Sequence, residues 1–255
     1  MFKRLIDLVL SASVLLFTLP ALAVLAILIR RDSHGPALFR QTRMGRNFQS
    51  FEILKLRTMR EIPGPTYTLG DDRRVTSLGR WLRRTKIDEI PQLWNVLRGQ
   101  MSLTGPRPVV PALTFEFREE YKRLLTVRPG LTDPATLKYC RETELLAKSE
   151  NPLAYFKDVV TPDKLRISLE YLENASLWSD VKLMLRTAVL LLRGTRSQKL
   201  PQPVVLATKA LPPFRLIHID TPQKVRSESF IPTELLFSVR SATPKLPVNA
   251  DSKAG

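Results

Sequence analysis

"LVLSASVLLFTLPALAVLAILI", Leu8 to Ile29, is a run of 22 residues without a charge. As one helix it would be about 33 Å long, enough to cross the hydrocarbon core of a bilayer. Basic residues flank it on both sides: Lys3 and Arg4 before, Arg30, Arg31, Arg40, Arg43 and Arg46 after. Three readings compete. A signal peptide would use Lys3 and Arg4 as its basic region and Ala21-Leu22-Ala23 as its cleavage site, but the apolar run continues to Ile29 and Asp7 is out of place there. A simple span must send one basic flank across the membrane, against the preference of such residues for the cytoplasmic side. A hairpin avoids that difficulty. Pro20 frees a backbone carbonyl and kinks the helix, so the segment can enter one leaflet and return, with Ser13 or Thr18 satisfying the loosened backbone. The residues by themselves leave span and hairpin open.

The whole chain of 255 residues carries a net charge of +16. Such a charge implies an anionic partner: nucleic acid, acidic lipid or a phosphorylated substrate. Aromatic residues make up 7%, and no basic-aromatic RNA-binding pattern stands out. The single cysteine, Cys140, excludes an internal disulfide. His34 and His218 are far apart, so nothing suggests zinc; a metal would be a hard cation on carboxylates.

Three regions emerge: residues 1–30 as the membrane helix, 31–194 as the main domain, and 195–255 as a Pro-rich, largely disordered extension. The last holds 8 of the 20 prolines, although "PFRLIHID" and "ELLFSV" have strand character. Residues 30–107 are the basic centre, with 14 Arg and 2 Lys against 7 acids. Short strands are expected near Ala37–Arg40 and Phe51–Leu56. Helices are expected at Thr76–Arg84, from Asp88 to Gly99, and at Pro111–Val127, Pro162–Asn174 and Leu177–Arg193. The last carries an apolar stretch, Ala188–Leu192, suited either to a membrane surface or to the core. The fold class is therefore mainly α with a few short strands (α+β), membrane-associated through the N-terminal helix, spanning or kinked at Pro20, and through surface amphipathic helices.

In this basic setting "RRTKIDEIPQLWNVLRGQMSLTGPRP", Arg83 to Pro108, places two adjacent carboxylates, Asp88 and Glu89. They suit a helix cap, because acids favour a helix N-terminus. They also suit chemistry. Adjacent residues on a helix point about 100° apart, so one can act as a nucleophile while the other holds a cation. Arg107, between two prolines, sits in a stiff turn able to aim a guanidinium at phosphate.

The stretch "KIDEIPQLWNVLRGQMSLTGPRP" closely resembles the signature of the bacterial sugar transferase family, the monotopic polyprenyl-phosphate phosphoglycosyl transferases. "KRLIDLVLS", "GPALFRQTRMGRN", "LKLRTM", "VTSLGRWLRRT" and "VRPGLT" agree, and so does "NPLAYFKDVVTPDKLRISLEYLENASLWSDVKLMLRT"; together they cover about residues 2 to 193. The resemblance implies an enzyme that moves a phosphosugar from a nucleotide-diphosphate sugar, a UDP-sugar, to undecaprenyl phosphate and releases the nucleoside monophosphate. It implies Asp88 as nucleophile, Glu89 as Mg2+ ligand, Lys55, Arg83 and Arg107 as phosphate-binding residues, and a re-entrant membrane helix broken at Pro20. The expected partners are the nucleotide-diphosphate sugar, polyprenyl phosphate and membrane lipid, with a homodimer and downstream glycosyltransferases as protein partners and no nucleic acid. The expected place is the cytoplasmic face of a bacterial inner membrane. The chain departs from the family pattern at Leu19-Pro20, where Ser-Pro is common, at Lys86, where Ser is common, and in "DPATLKY" after "RPGLT", which leaves the sugar open. The rivals are a non-catalytic, membrane-tethered basic protein binding anionic lipid or nucleic acid, and a scaffold of a polysaccharide assembly complex.

Overall fold

In the computed structural model, which describes residues 2–62, 72–194 and 199–202, the apolar run forms the middle of one helix, α1 (Phe2–Asp32), which continues through Pro20. Most of its apolar side chains pack on little: Phe2, Leu5, Leu16, Phe17, Leu19 and Val24 are exposed, and only Asp7, Ser11 and Ile29 are buried. That is the reverse of a core helix, and α1 is long and apolar enough to cross a membrane. Thr18 Oγ1 donates to the carbonyls of Val14 (2.7 Å) and Leu15 (3.4 Å), a back-bonding pattern that bends helices. It does not reach the Leu16 carbonyl, the one that Pro20 deprives of its usual N–H.

Both ends of α1 are fastened to the folded domain. Near its start, Arg4 Nη2 donates to the carbonyls of Val96 (2.8 Å) and Leu97 (3.3 Å). Lys3 Nζ meets Thr104 Oγ1 and Asp180 Oδ2, both at 2.5 Å. Asp7 accepts from Ser102 Oγ (2.8 Å) and the Leu103 N–H (3.2 Å). At the other end Ile29 packs with Ala37, Leu56 and Leu82, and the Arg57 guanidinium donates to the carbonyls of Ser33 (2.6 Å), His34 (2.6 Å) and Ile29 (3.3 Å). Arg57 thus ties down the Ile29 carbonyl in the last turn of α1 and the two carbonyls that follow the helix. Lys3, Arg4 and Asp7 are thus working parts of the fold.

Two strands follow, β1 (Leu38–Met44) and β2 (Ser50–Leu56), antiparallel and longer than their sequence signals. The register pairs Phe39 with Lys55 and Arg43 with Phe51. Side chains two apart share a face, so Phe39, Gln41 and Arg43 lie on the same side as Lys55. Helix α2 (Ser77–Thr85) is capped by Thr76 Oγ1, which accepts from the Gly79 N–H at 2.9 Å. It lies tight on the strand end: a Cβ at Gly79 would come 2.0 Å from the Thr58 carbonyl oxygen. The helix expected from Asp88 divides into a 3-10 turn, Ile87–Glu89, and α3 (Gln92–Leu97), with Gly99 at φ 80 beyond it. From α3, the buried Asn95 accepts from the Leu54 N–H (3.1 Å) and donates to the Glu52 carbonyl (2.7 Å), closing the free edge of β2.

Strands β3 (Ser102–Thr104) and β4 (Gly130–Thr132) pair in parallel. Between them the expected long helix is broken at Phe117 (φ −119, ψ 50) into α4 (Pro111–Glu116) and α5 (Arg118–Leu124). Short helices α6 (Pro134–Lys138), α7 (Glu142–Leu146) and α8 (Pro152–Tyr155) lead through a π-turn, Phe156–Val160, into α9 (Thr161–Glu173). Helix α10 (Leu177–Arg193) opens on a capping box, Ser176 with Ser179. It buries Asp180, Leu183 and Leu190 while exposing Trp178, Leu185, Val189 and Leu192, so it serves the core with one face and leaves an apolar face outside. The fold is mostly helical with a few short strands. The expectations for residues 203–255, the disordered extension with its strand-like pieces, lie outside the described residues.

Candidate active site

The acidic pair is aimed by backbone. Lys86 adopts the left-handed conformation (φ 60, ψ 13) at the end of α2, and the chain turns at once into the 3-10 turn. That reversal sets Asp88 and Glu89 in the wall of a cavity of about 1480 Å3. The hairpin face of β1–β2 and helix α2 supply much of the remaining wall, together with residues around α7. Among the described residues it is lined by eleven basic and four acidic side chains. A wall so positive attracts phosphate-bearing ligands.

The two carboxylates are in opposite states. Glu89 Oε1 accepts from Arg107 Nη2 at 2.5 Å and from Lys55 Nζ at 3.2 Å. Burial alone would raise its pKa, but the charges of Arg107, Lys55 and Lys86 hold it well below the ordinary carboxylate range. Asp88 is buried, and its Oδ1 has no hydrogen-bond partner among the described residues. Burial first, and the Glu89 charge second, push its pKa up, against the pull of Lys55, Lys86 and Arg83. Glu89 is therefore a fixed anion, and Asp88 is a desolvated carboxylate with a lone pair unused. The shared Glu89 belongs mainly to Arg107. There the anion outweighs burial and raises the guanidinium pKa, whereas at Lys55 burial wins and lowers the ammonium pKa.

Arg107 owes its position to two glycines. The Gly105 N–H donates to the Thr132 carbonyl (3.0 Å), and the Gly130 N–H donates to the Pro106 carbonyl (2.8 Å). A Cβ on Gly130 would lie 2.1 Å from the Gly105 nitrogen, so the turn Gly105–Pro108 and the start of β4 fit only without side chains there. Arg107 Nη1 also donates to the Leu131 carbonyl at 3.2 Å. The "GPRP" and "RPGLT" stretches, which begin 23 residues apart, thus form one support.

The fold brings Lys55, Arg83, Asp88, Glu89 and Arg107 together. Arg83 lines the cavity and donates through Nε to Thr58 Oγ1 at 2.8 Å; burial lowers its pKa. Arg107, which joins the site through its bond to Glu89, and Pro20, on α1, are not among the lining residues. No group of three or more His, Cys, Asp or Glu among the described residues could cage a metal. Mg2+ needs no such cage, since one or two carboxylates plus substrate phosphates suffice. An ionised Glu89 in a cavity that attracts phosphates fits that donor set. Sequence reasoning passed over Arg43 and Gln41, which line the same cavity from β1; the strand alternation in "FRQTRMG", which puts both on the Lys55 face, was the signal.

The model of the family described as "Bacterial sugar transferase" matches residues 1–194. The chain is similar to an undecaprenyl-phosphate glucose phosphotransferase of Komagataeibacter xylinus, 40% identical over 195 residues, 72% of this chain and 35% of that one. It is also similar to proteins named UDP-glucose:undecaprenyl-phosphate glucose-1-phosphate transferase. The one from Caulobacter vibrioides is 42% identical over 201 residues, 74% of this chain and 69% of that one. The one from Escherichia coli is 36% identical over 194 residues, 73% of this chain and 39% of that one. The chain therefore spans little more than a third of the length of two of these relatives.

Proposed function

The chain belongs to the bacterial sugar transferase family, and on that premise we propose that it transfers a phosphosugar from a UDP-sugar to undecaprenyl phosphate at a membrane surface. One observation carries the reading: Asp88, desolvated and with Oδ1 unbonded, stands beside a Glu89 already neutralised by Arg107 and Lys55, inside a strongly cationic cavity.

The chemistry proceeds in two displacements. An Asp88 carboxylate oxygen attacks the sugar-bearing phosphorus; the bond to the nucleotide oxygen breaks, UMP leaves, and an aspartyl phosphosugar remains. The phosphate oxygen of undecaprenyl phosphate then attacks the same phosphorus, and the acyl-phosphate bond breaks to return the Asp88 carboxylate. Lys55, Arg83 and Arg107 hold the phosphoryl oxygens and spread their charge. A carboxylate with a raised pKa is the better nucleophile once ionised, and Asp88 has that character. Glu89 would hold Mg2+, which when bound neutralises diphosphate charge.

The helix α1 is read as re-entrant, with the domain on the cytoplasmic face of the inner membrane. Both of its ends bond to one folded domain, and a helix spanning a bilayer separates its ends by the whole membrane. Basic residues flank it on both sides, as two cytoplasmic ends require. The exposed Trp178, Leu185 and Val189 of α10, with Lys182 and Arg186 interspersed, suit the headgroup layer.

The test is UMP release by the full chain in detergent, with a panel of UDP-sugars and with or without undecaprenyl phosphate. Release with at least one sugar, and formation of the lipid-linked product, supports the reading. Absence of UMP with every sugar, from folded protein, overturns it.

A further inference from the structure

Among the described residues, Arg43 is a cation without a salt-bridged acid of its own. It lies on β1, on the hairpin face that carries Lys55, and it lines the cavity. Its Nε is buried and has no hydrogen-bond partner among the described residues. Nη2 donates to Gln41 Oε1 at 2.6 Å, and Nη1 only approaches the Pro108 carbonyl, at 3.5 Å. Among the described residues no carboxylate forms a salt bridge with it, while Glu89 is bonded by Arg107 and Lys55 instead. Burial and the neighbouring Arg107 charge bring the Arg43 guanidinium down to about 10.

A partly buried guanidinium beside a second one, with neutral oxygens as its only bonded partners, is unfavourable in the protein by itself. It becomes favourable when an anion arrives with oxygens to fill the unused N–H groups. The planar fork of arginine matches phosphate in this way. Gln41 is suited to hold the fork in place, because its amide oxygen accepts without cancelling the charge.

We propose that Arg43 is a phosphate-binding residue of this active site, acting together with Arg107 and oriented by Gln41. The assignment rests on the transferase reading only for which phosphate it holds, the donor's diphosphate or the acceptor's monophosphate.

The experiment compares full-length wild type with Arg43→Gln, Arg43→Lys and Gln41→Glu in one detergent. Binding of inorganic pyrophosphate is followed by thermal shift, and UMP release is followed by kinetics. Arg43→Gln is expected to weaken pyrophosphate binding and to lower kcat/KM by about tenfold, with Arg43→Lys between it and wild type. Gln41→Glu supplies the missing acid. It is expected to weaken pyrophosphate binding while the ligand-free melting temperature stays level or rises, a combination that a merely structural role does not produce. A KM increase confined to the UDP-sugar assigns the donor's phosphates; one confined to undecaprenyl phosphate assigns the acceptor's. Pyrophosphate binding at the wild-type level in Arg43→Gln, or loss of binding only in step with a lowered melting temperature in every variant, overturns the assignment. If wild type releases no UMP but Arg43→Gln still loses pyrophosphate, the transferase reading fails and the anion site stands.

Discussion

Arg107 Nη2 lies 2.5 Å from Glu89 Oε1, and this contact separates the tasks of two adjacent acids. With Glu89 held, Asp88 is left to react. Glu89→Gln removes the charge that Arg107 and Lys55 share and leaves two cations facing each other. Breaking a buried pair costs several kcal/mol, but the Arg107 side chain is 35% exposed, so a loss of about 2 kcal/mol is expected after solvent screening. A lower denaturation midpoint together with severely reduced UMP release is the predicted outcome.

Asp88→Asn separates stability from activity. The folded-state pKa of Asp88 is raised, so folding shifts its equilibrium toward the neutral form relative to the unfolded chain. Stability from this group is present at low pH and is lost as pH rises through the raised pKa. At neutral pH the amide should therefore melt at the same temperature as wild type or higher, while turnover falls by roughly 10³-fold or more. In wild type, the acid limb of the UMP-release profile should lie above the ordinary aspartate range, because Asp88 must be ionised to attack. A limb at or below that range would count against a desolvated nucleophile.

Much of this site was legible in the sequence. Asp88, Glu89 and Arg107 stand out by motif, and α10 runs over the Leu177–Arg193 that its periodicity indicates. The β3–β4 pair was not legible, because strands of three residues carry no alternation to detect and the partners, Ser102 with Gly130 and Thr104 with Thr132, are 28 positions apart. The break at Phe117 left no local signal, since neither Gly nor Pro marks it. Lys3, Arg4 and Asp7 were read for membrane topology because sequence shows charge but not the carbonyls, hydroxyls and amide that the fold brings to them.

Gly130→Ala tests the support of Arg107. Its methyl group would start 2.1 Å from the Gly105 nitrogen, which is backbone and cannot swing aside. The turn must shift, and Arg107 with it. A shift of about 1 Å at a phosphate-binding group costs roughly 10²-fold in rate. UMP release in Gly130→Ala should fall by that order, with far-UV circular dichroism retained. Wild-type rates would show that the glycine contact does not position Arg107.

Topology is tested by the ends of α1. Asp7→Ala orphans Ser102 Oγ and the Leu103 N–H, at about 1–3 kcal/mol, so the melting temperature in detergent should fall. In sealed inner-membrane vesicles of known orientation, tags at both chain termini should be accessible on the cytoplasmic side. A periplasmic N-terminal tag would establish a spanning helix instead, and the bonds at one end of α1 could not coexist with it.

Covalent capture tests the central assignment most directly. Full-length enzyme is incubated with a UDP-sugar labelled in the sugar-bearing phosphate, without undecaprenyl phosphate, quenched and run on a denaturing gel. The account predicts label on wild type in about equimolar amount to a burst of UMP, its discharge on adding undecaprenyl phosphate, and none on Asp88→Asn. Label on Asp88→Asn, or UMP formed by wild type only when acceptor is present and never with labelled protein, would contradict Asp88 as the nucleophile.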